Sequence, residues 1–193
     1  MFPAGCPPVT VVSQNVYYEP HFHIAIGRAL RPLRKEGYLL IGSGGGVHNL
    51  YRADYTSNWL YRDAFAQRYP PDATHLEFRQ ALEDVLCKNG AGPELKSAVV
   101  RLMKHPNYRD AHGTDDHYMP TCFIAGVVGE EEDRGEEATL ACEMWELVSD
   151  LLSPWSCVSN VLIGLLTNLG AEKPGRDTVY NRNVAIEVDL SLI

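Results

Sequence analysis

The chain has 193 residues, 45% of them hydrophobic and 22% charged, and its 17 Lys and Arg against 25 Asp and Glu leave a formal charge of −8. That length suits one domain, residues 1–193, with a core of ordinary size. The acidic balance argues against nucleic acid, whose phosphates call for a basic patch, and against an anionic membrane surface. Apolar runs such as VLIGLL at 161–166 are too short to span a bilayer. The start, MFPAGCPPVTVV, has no basic segment and does not read as a secretory leader. Five cysteines, at 6, 87, 122, 142 and 157, contain no CxxC pair. They read as reduced thiols of a cytoplasmic protein, and a cysteine-built zinc site is not expected.

Residues 9–13, VTVVS, are β-branched, follow Pro7 and Pro8, and predict a buried strand. Residues 20–36 place Ile24, Ile26, Leu30 and Leu33 at helical spacing, with Arg28, Arg31, Arg34 and Lys35 between or after them. Pro32 is expected to kink that helix and Gly37 to stop it. YLLIGS at 38–43 predicts a second strand, and strand, helix, strand make a βαβ unit with parallel strands. The middle reads as helices over 56–69, with Trp59, Leu60, Ala64 and Phe65 on one side, and over 75–88, with Leu76, Phe78, Leu82, Val85 and Leu86. A third covers 93–105, with Pro93 in its first turn.

Residues 108–120 are polar and read as a loop, and TCFIAGVVG after them as a buried strand or helix. The acidic run opening residues 129–152 predicts a solvated surface stretch that turns into an amphipathic helix. The end, NVAIEVDLSLI, alternates with Val184, Ile186, Val188, Leu190 and Leu192 on one face, a half-buried strand. The sum is an α/β protein with a mostly parallel central sheet flanked by helices.

Two stretches carry chemistry. In YLLIGSGGGVHNLYR, residues 38–52, a strand ends in Gly42, Gly44, Gly45 and Gly46 before His48. A dinucleotide fingerprint needs G-x-G-x-x-G, and Val47 stands where its third glycine belongs. A P-loop needs Lys followed by Ser or Thr, and His48 and Asn49 are neither. Three readings stand: a tight turn, a nucleotide cradle, or a loop placing His48 where open α/β sheets bind ligands. His48 itself reads as a proton-transfer group near neutral pH or as a surface histidine.

The second stretch, AHGTDDHYMP, holds His112, Asp115, Asp116 and His117, donors that suit non-haem iron or zinc. His112 and His117 stand about 140° apart on a helical wheel, so they do not share a helical face. His21 and His23 open a helix without sharing a face, and His75 and His105 read as surface positions.

The segments MFP…PPVTVVS, HIAIGRALRPLRKEGYLLIGSGGGVHNLYR and AHGTDDHYMP, in that order, resemble the class III extradiol ring-cleavage dioxygenases, and among them the 4,5-DOPA-dioxygenase-like group. The most specific part is residues 23–52: a His-x-x-x-Gly-Arg helix start, a Leu-Arg-x-Glu-Gly helix end and a Gly-Ser-Gly-x-x-x-His-Asn-Leu strand exit. The resemblance spans residues 1–127, and the tail 128–193 diverges.

The resemblance implies one divalent metal, Fe(II) or Zn(II). A small aromatic diol would bind it through both oxygens, O2 would bind beside it, and the ring would open next to the diol. It implies His48 as general acid/base and His117 as metal ligand. It also implies His112 and Asp116 as groups orienting that ligand, Gly44, Gly45, Gly46 and Asn49 as the substrate loop, and His23 as structural. The family's two other ligand histidines lie in a part that precedes the point matching MFP, so an incomplete N-terminal portion is expected. The chain then reads as a truncated dioxygenase, completed by a second chain or as a homo-oligomer. The alternative is a non-catalytic remnant or partner-binding fragment. An incomplete sheet edge is expected to drive self-association.

Overall fold

A computed structural model describes residues 8–53, 55–63, 70–88, 90–136, 138, 140, 142–146, 158–162 and 185–188. Strand β1, Val9–Val11, leads into helix α1, Pro20–Leu30. Glu19 caps that helix, its carboxylate accepting the N–H groups of His21 and Phe22 at 3.1 and 2.5 Å. Proline in the next first turn cannot donate to the helical ladder, so the chain tightens into a 3₁₀ helix over Arg31–Glu36, and Gly37 ends it at φ 88°. The expected kink is therefore a change of helix type. Strands β2, Leu39–Gly42, and β3, Val47–His48, flank the glycine loop.

Helix α2 is Thr56–Tyr61. Helix α3, Ala73–Glu83, is capped by Asp72, which accepts Thr74 N–H at 2.9 Å, and it runs on as a π turn over Asp84–Lys88. Helices α4, Pro93–Leu102, α5, Tyr108–Ala111, and α6, Met119–Val127, follow. Strands β4, Cys142–Glu146, β5, Val158–Leu162, and β6, Ala185–Val188, complete the described chain. Among the described residues no helix is long and apolar enough to cross a membrane.

The mixed helix and strand class holds, with helix predominating among the described residues. The sheet expectation is corrected: the strands form two three-stranded sets rather than one mostly parallel central sheet. In one set β1 and β2 both pair parallel with β6, which lies between them, Thr10 and Leu40 each opposite Ile186. In the other set β3 and β4 pair antiparallel with β5. The βαβ strands are thus neighbours of a distant strand rather than of each other.

The core gathers on α6. Its buried members include Ile24, Phe78, Leu82, Leu95, Val99, Tyr108, Tyr118, Met119 and Phe123. Helices α1 and α6 cross at Gly27 and Gly126, where a Cβ on either glycine would run into backbone atoms of the other helix.

Several expectations are corrected by burial. Strand β1 is exposed, Val9 at 41% and Val11 at 57%, and among the described residues it pairs on one side only, with β6. Trp59 and Leu60 are 83% and 61% exposed rather than on a core stripe, and Ala64 and Phe65 lie outside the described residues. Residues 108–120 form core rather than loop, with Tyr108, Ala111, His112, Tyr118 and Met119 buried. TCFIAGVVG belongs to a helix. The acidic run is solvated at Glu131 and Glu132, as expected, with one exception: Asp133 is buried and receives both Arg31 and Arg34. Residues 142–146 are strand, not helix, held beside α3 by two hydrogen bonds from Arg79 to Glu143. Strand pairing of this kind overrides local helical preference. The final strand's faces beyond its backbone pairing lie outside the described residues.

Candidate active site

The glycine loop and the 109–117 segment are tied together from both sides. At Gly44 the loop passes so close to the His117 carbonyl oxygen that any Cβ would clash with it. Gly45 N–H donates to His117 Nδ1 at 3.3 Å. His112 Nε2 donates to Gly46 O at 3.1 Å, and the backbones of His48 and His112 form an isolated parallel bridge. The outcome is that the imidazoles of His48 and His117 stack, with ring centroids 3.3 Å apart and planes 11° from parallel.

Each partner has its own support. His117 lies in the 3₁₀ turn Asp116–Tyr118, and the Gln14 side-chain amide donates to Asp116 O at 2.9 Å. Asp116 Oδ2 stands 3.7 Å from His117 Nε2, and the Thr114 hydroxyl donates to Asp116 Oδ1. His112 is fully buried among the rings of Phe78, Tyr108 and Tyr118. Asn49 is buried too, and its amide donates to Arg109 O at 3.2 Å and Asp110 O at 2.9 Å. Asn49, expected in the substrate loop, thus also ties the two segments together. His23, read as structural, is buried with both ring nitrogens engaged, Nδ1 with Glu19 O and Nε2 with Asn15 N–H.

Burial pushes the His48 imidazole down to about 4, and His117 adds to that while Asp116 opposes it. Burial also lowers His117, against the pull of Asp116. Burial, with His48 and His117 adding, holds His112 at about 3 against the hydrogen bond to Gly46. All three rings are neutral near pH 7, the form that accepts a proton or binds a metal. Changing Gly44 to Ala is expected to force the loop off His117, cost about 1–3 kcal/mol, and abolish the stack. A denaturation curve and the ring-proton shifts of the two histidines would show both effects.

These groups do not by themselves make up a metal centre. Among the described residues no three His, Cys, Asp or Glu side chains gather around one point. Rings stacked at 11° hold their in-plane lone pairs in two nearly parallel planes, their centroids 3.3 Å apart, so both His48 and His117 cannot point a lone pair straight at one ion. His117 Nδ1 already accepts from Gly45, and His112 Nε2 is spent on Gly46.

Sequence reasoning missed two supports. His75, read as surface, is fully buried. Its signal was its place on the stripe of Phe78 and Leu82, three and seven positions ahead of them on α3. Gln14 carries no local signal, because its partner lies across the fold.

The site is thus a histidine cluster at the exit of a strand in an α/β fold. No protein-family model matches the chain. It is 32% identical over 146 residues to 4,5-DOPA dioxygenase extradiol from Portulaca grandiflora, covering 76% of this chain and 47% of that protein. It is 29% identical over 146 residues to the protein of the same name from Beta vulgaris, covering 76% and 47%. To that from Escherichia coli K12 it is 25% identical over 127 residues, covering 66% and 42%. A crystal structure of the uncharacterized protein JW3007 from Escherichia coli K12 shares the fold, with TM-score 0.51 and 24% identity over 72% of this chain and 49% of that one. The chain belongs to the extradiol dioxygenase family of the 4,5-DOPA-dioxygenase-like group, and it spans about half the length of the curated relatives it matches.

Proposed function

We propose that this chain carries the proton-transfer side and one metal ligand of an extradiol ring-cleavage dioxygenase site acting on a small aromatic diol with O2. The observation behind the reading is the His48–His117 stack, held by the glycine loop and the 109–117 segment. His48 is half-buried beside His117, and its neutral ring can accept a hydroxyl proton of a diol seated there, although burial makes it a weaker base than free imidazole. His117 would give one donor to Fe(II) or Zn(II), and the remaining donors would come from outside the described residues, on this chain or a second one. The reduced Cys87 and Cys122 fit a cytoplasmic setting.

One observation favours a second reading, a non-catalytic remnant: the described residues bring together no complete donor set. Anaerobic loading with Fe(II) or Zn(II) separates the two. Stoichiometric uptake by the wild-type chain, lost in His117→Ala, supports the dioxygenase reading. Uptake no greater than in the variant sinks it.

The exposed β1 edge leads to a further expectation, self-association through that strand. Light scattering behind size exclusion checks it, and a monodisperse monomer at high concentration would contradict it.

A further inference from the structure

We infer that His75 is a positioning residue that braces the backbone holding His48 against His117. It is fully buried in the first turn of α3, and its Nε2 lies 3.0 Å from the Asp110 carbonyl oxygen. With the proton on that nitrogen, the ring donates to the carbonyl. The same oxygen accepts the Asn49 amide at 2.9 Å.

Those two bonds meet where the site is assembled. Asn49 is the residue after His48, and Asp110 lies just ahead of His112. His112 in turn donates to Gly46, just before β3. The residues on either side of His48 are therefore both tied to the 109–112 segment, and His75 holds that segment from the far side. The position is costly for plain packing. His75 Nδ1 is buried with no hydrogen-bond partner among the described residues, a penalty that an apolar side chain of similar size would avoid. The Asp110 hydrogen bond is what the histidine supplies in exchange. Its relevance to catalysis rests on the dioxygenase reading above, whereas the brace itself does not.

The test uses the metal-free full chain and the ring Cε1–H resonances of His48 and His117. In the wild type both are expected upfield of free imidazole, since each proton lies near the shielding face of the other ring. His75→Met keeps the volume and removes the donor, and should abolish the upfield displacement while the melting transition stays cooperative. His75→Gln carries an amide donor at the same distance from the backbone and should restore it. Unchanged shifts in His75→Met, or no restoration in His75→Gln, would overturn the brace and leave the dioxygenase reading standing. A wild type without the displacement would remove the stack, and both proposals with it. Should His75→Met not fold, the wild type still decides: a slowly exchanging Nε2 proton on His75 is expected, and its absence overturns the inference.

Discussion

Changing Asp133 to Asn should destabilise the protein by about 3–5 kcal/mol, the cost of leaving buried charge without its counter-ion. Arg34 Nη1 meets Asp133 Oδ1 at 2.8 Å and Arg31 Nη1 meets Oδ2, with side-chain exposures of 10% and 15% for the arginines and 3% for the aspartate. Both guanidinium groups also donate to Val127 O, at 2.9 and 3.1 Å, which ties the 3₁₀ turn after α1 to the end of α6. Asparagine keeps the shape of the side chain, takes the carboxylate from Arg34 and leaves Arg31 with the exposed Glu132 alone. The exposed Glu132 also reaches Arg31 and Lys35, yet Glu132→Ala should leave stability nearly unchanged, because water screens that pair. Urea denaturation near pH 7 would show the contrast, and an Asp133→Asn loss as small as that of Glu132→Ala would refute it.

The same cluster sets a pH dependence. Burial alone would raise the Asp133 carboxyl, but the hydrogen bonds from Arg31, Arg34 and Glu130 N–H outweigh it and hold the group below the ordinary carboxylate range. A lowered folded-state value means the unfolded chain takes up the proton first. The stabilisation is therefore complete above about pH 4, and it is lost as pH falls through the depressed folded value. Wild type and Asp133→Asn should converge in stability on the acid side and diverge towards neutrality.

Changing Gly126 to Ala should cost about 3 kcal/mol or more, although alanine is the better helix former by about 1 kcal/mol. Packing wins over propensity here because the obstacle is backbone. A Cβ at Gly126 would strike Ile24 O and lie 2.9 Å from Ile24 C, and one at Gly27 would strike Phe123 O and lie 3.0 Å from Gly126 Cα. Neither helix has a side chain that can swing aside, so α1 and α6 must separate. The damage should reach the site. Helix α6 starts two residues beyond His117, and Pro120 and Ile124 pack directly on Gly42 of the glycine loop. Thermal melts of Gly27→Ala and Gly126→Ala check the first effect, and metal uptake by whatever folded protein remains checks the second. A variant as stable as the wild type would mean the helices are not in contact at these glycines.

The legible part of this protein is local. The starts of α1 and α4 could be read from Pro20 and Pro93, and the end of the first helical stretch from Gly37, because caps and breakers act within one turn. The glycine loop and its histidine were legible as a strand exit of a recognisable kind. The segment 108–120 was not. Its polar letters suggest a loop, yet Tyr118 OH donates to Val99 O at 2.8 Å, Tyr108 OH to Asp115 Oδ1 at 3.0 Å, and His112 to Gly46 O at 3.1 Å. A polar group can be core once a partner satisfies it, and two of these partners lie far off in sequence.

The amino-acid sequence by itself determined the helices α1, α3 and α4, the family resemblance of residues 1–127 and the identity of His48 and His117 as the groups to watch. Only the tertiary structure decided that those two rings stack, that Asp133 is buried, that His75 braces Asp110, and that residues 142–146 pair as a strand. Periodicity and capping depend on residues a few positions apart. Burial and ion pairing depend on which distant segments meet, and here that follows from the close crossing of α1 and α6 and from the pairing of β6 between β1 and β2.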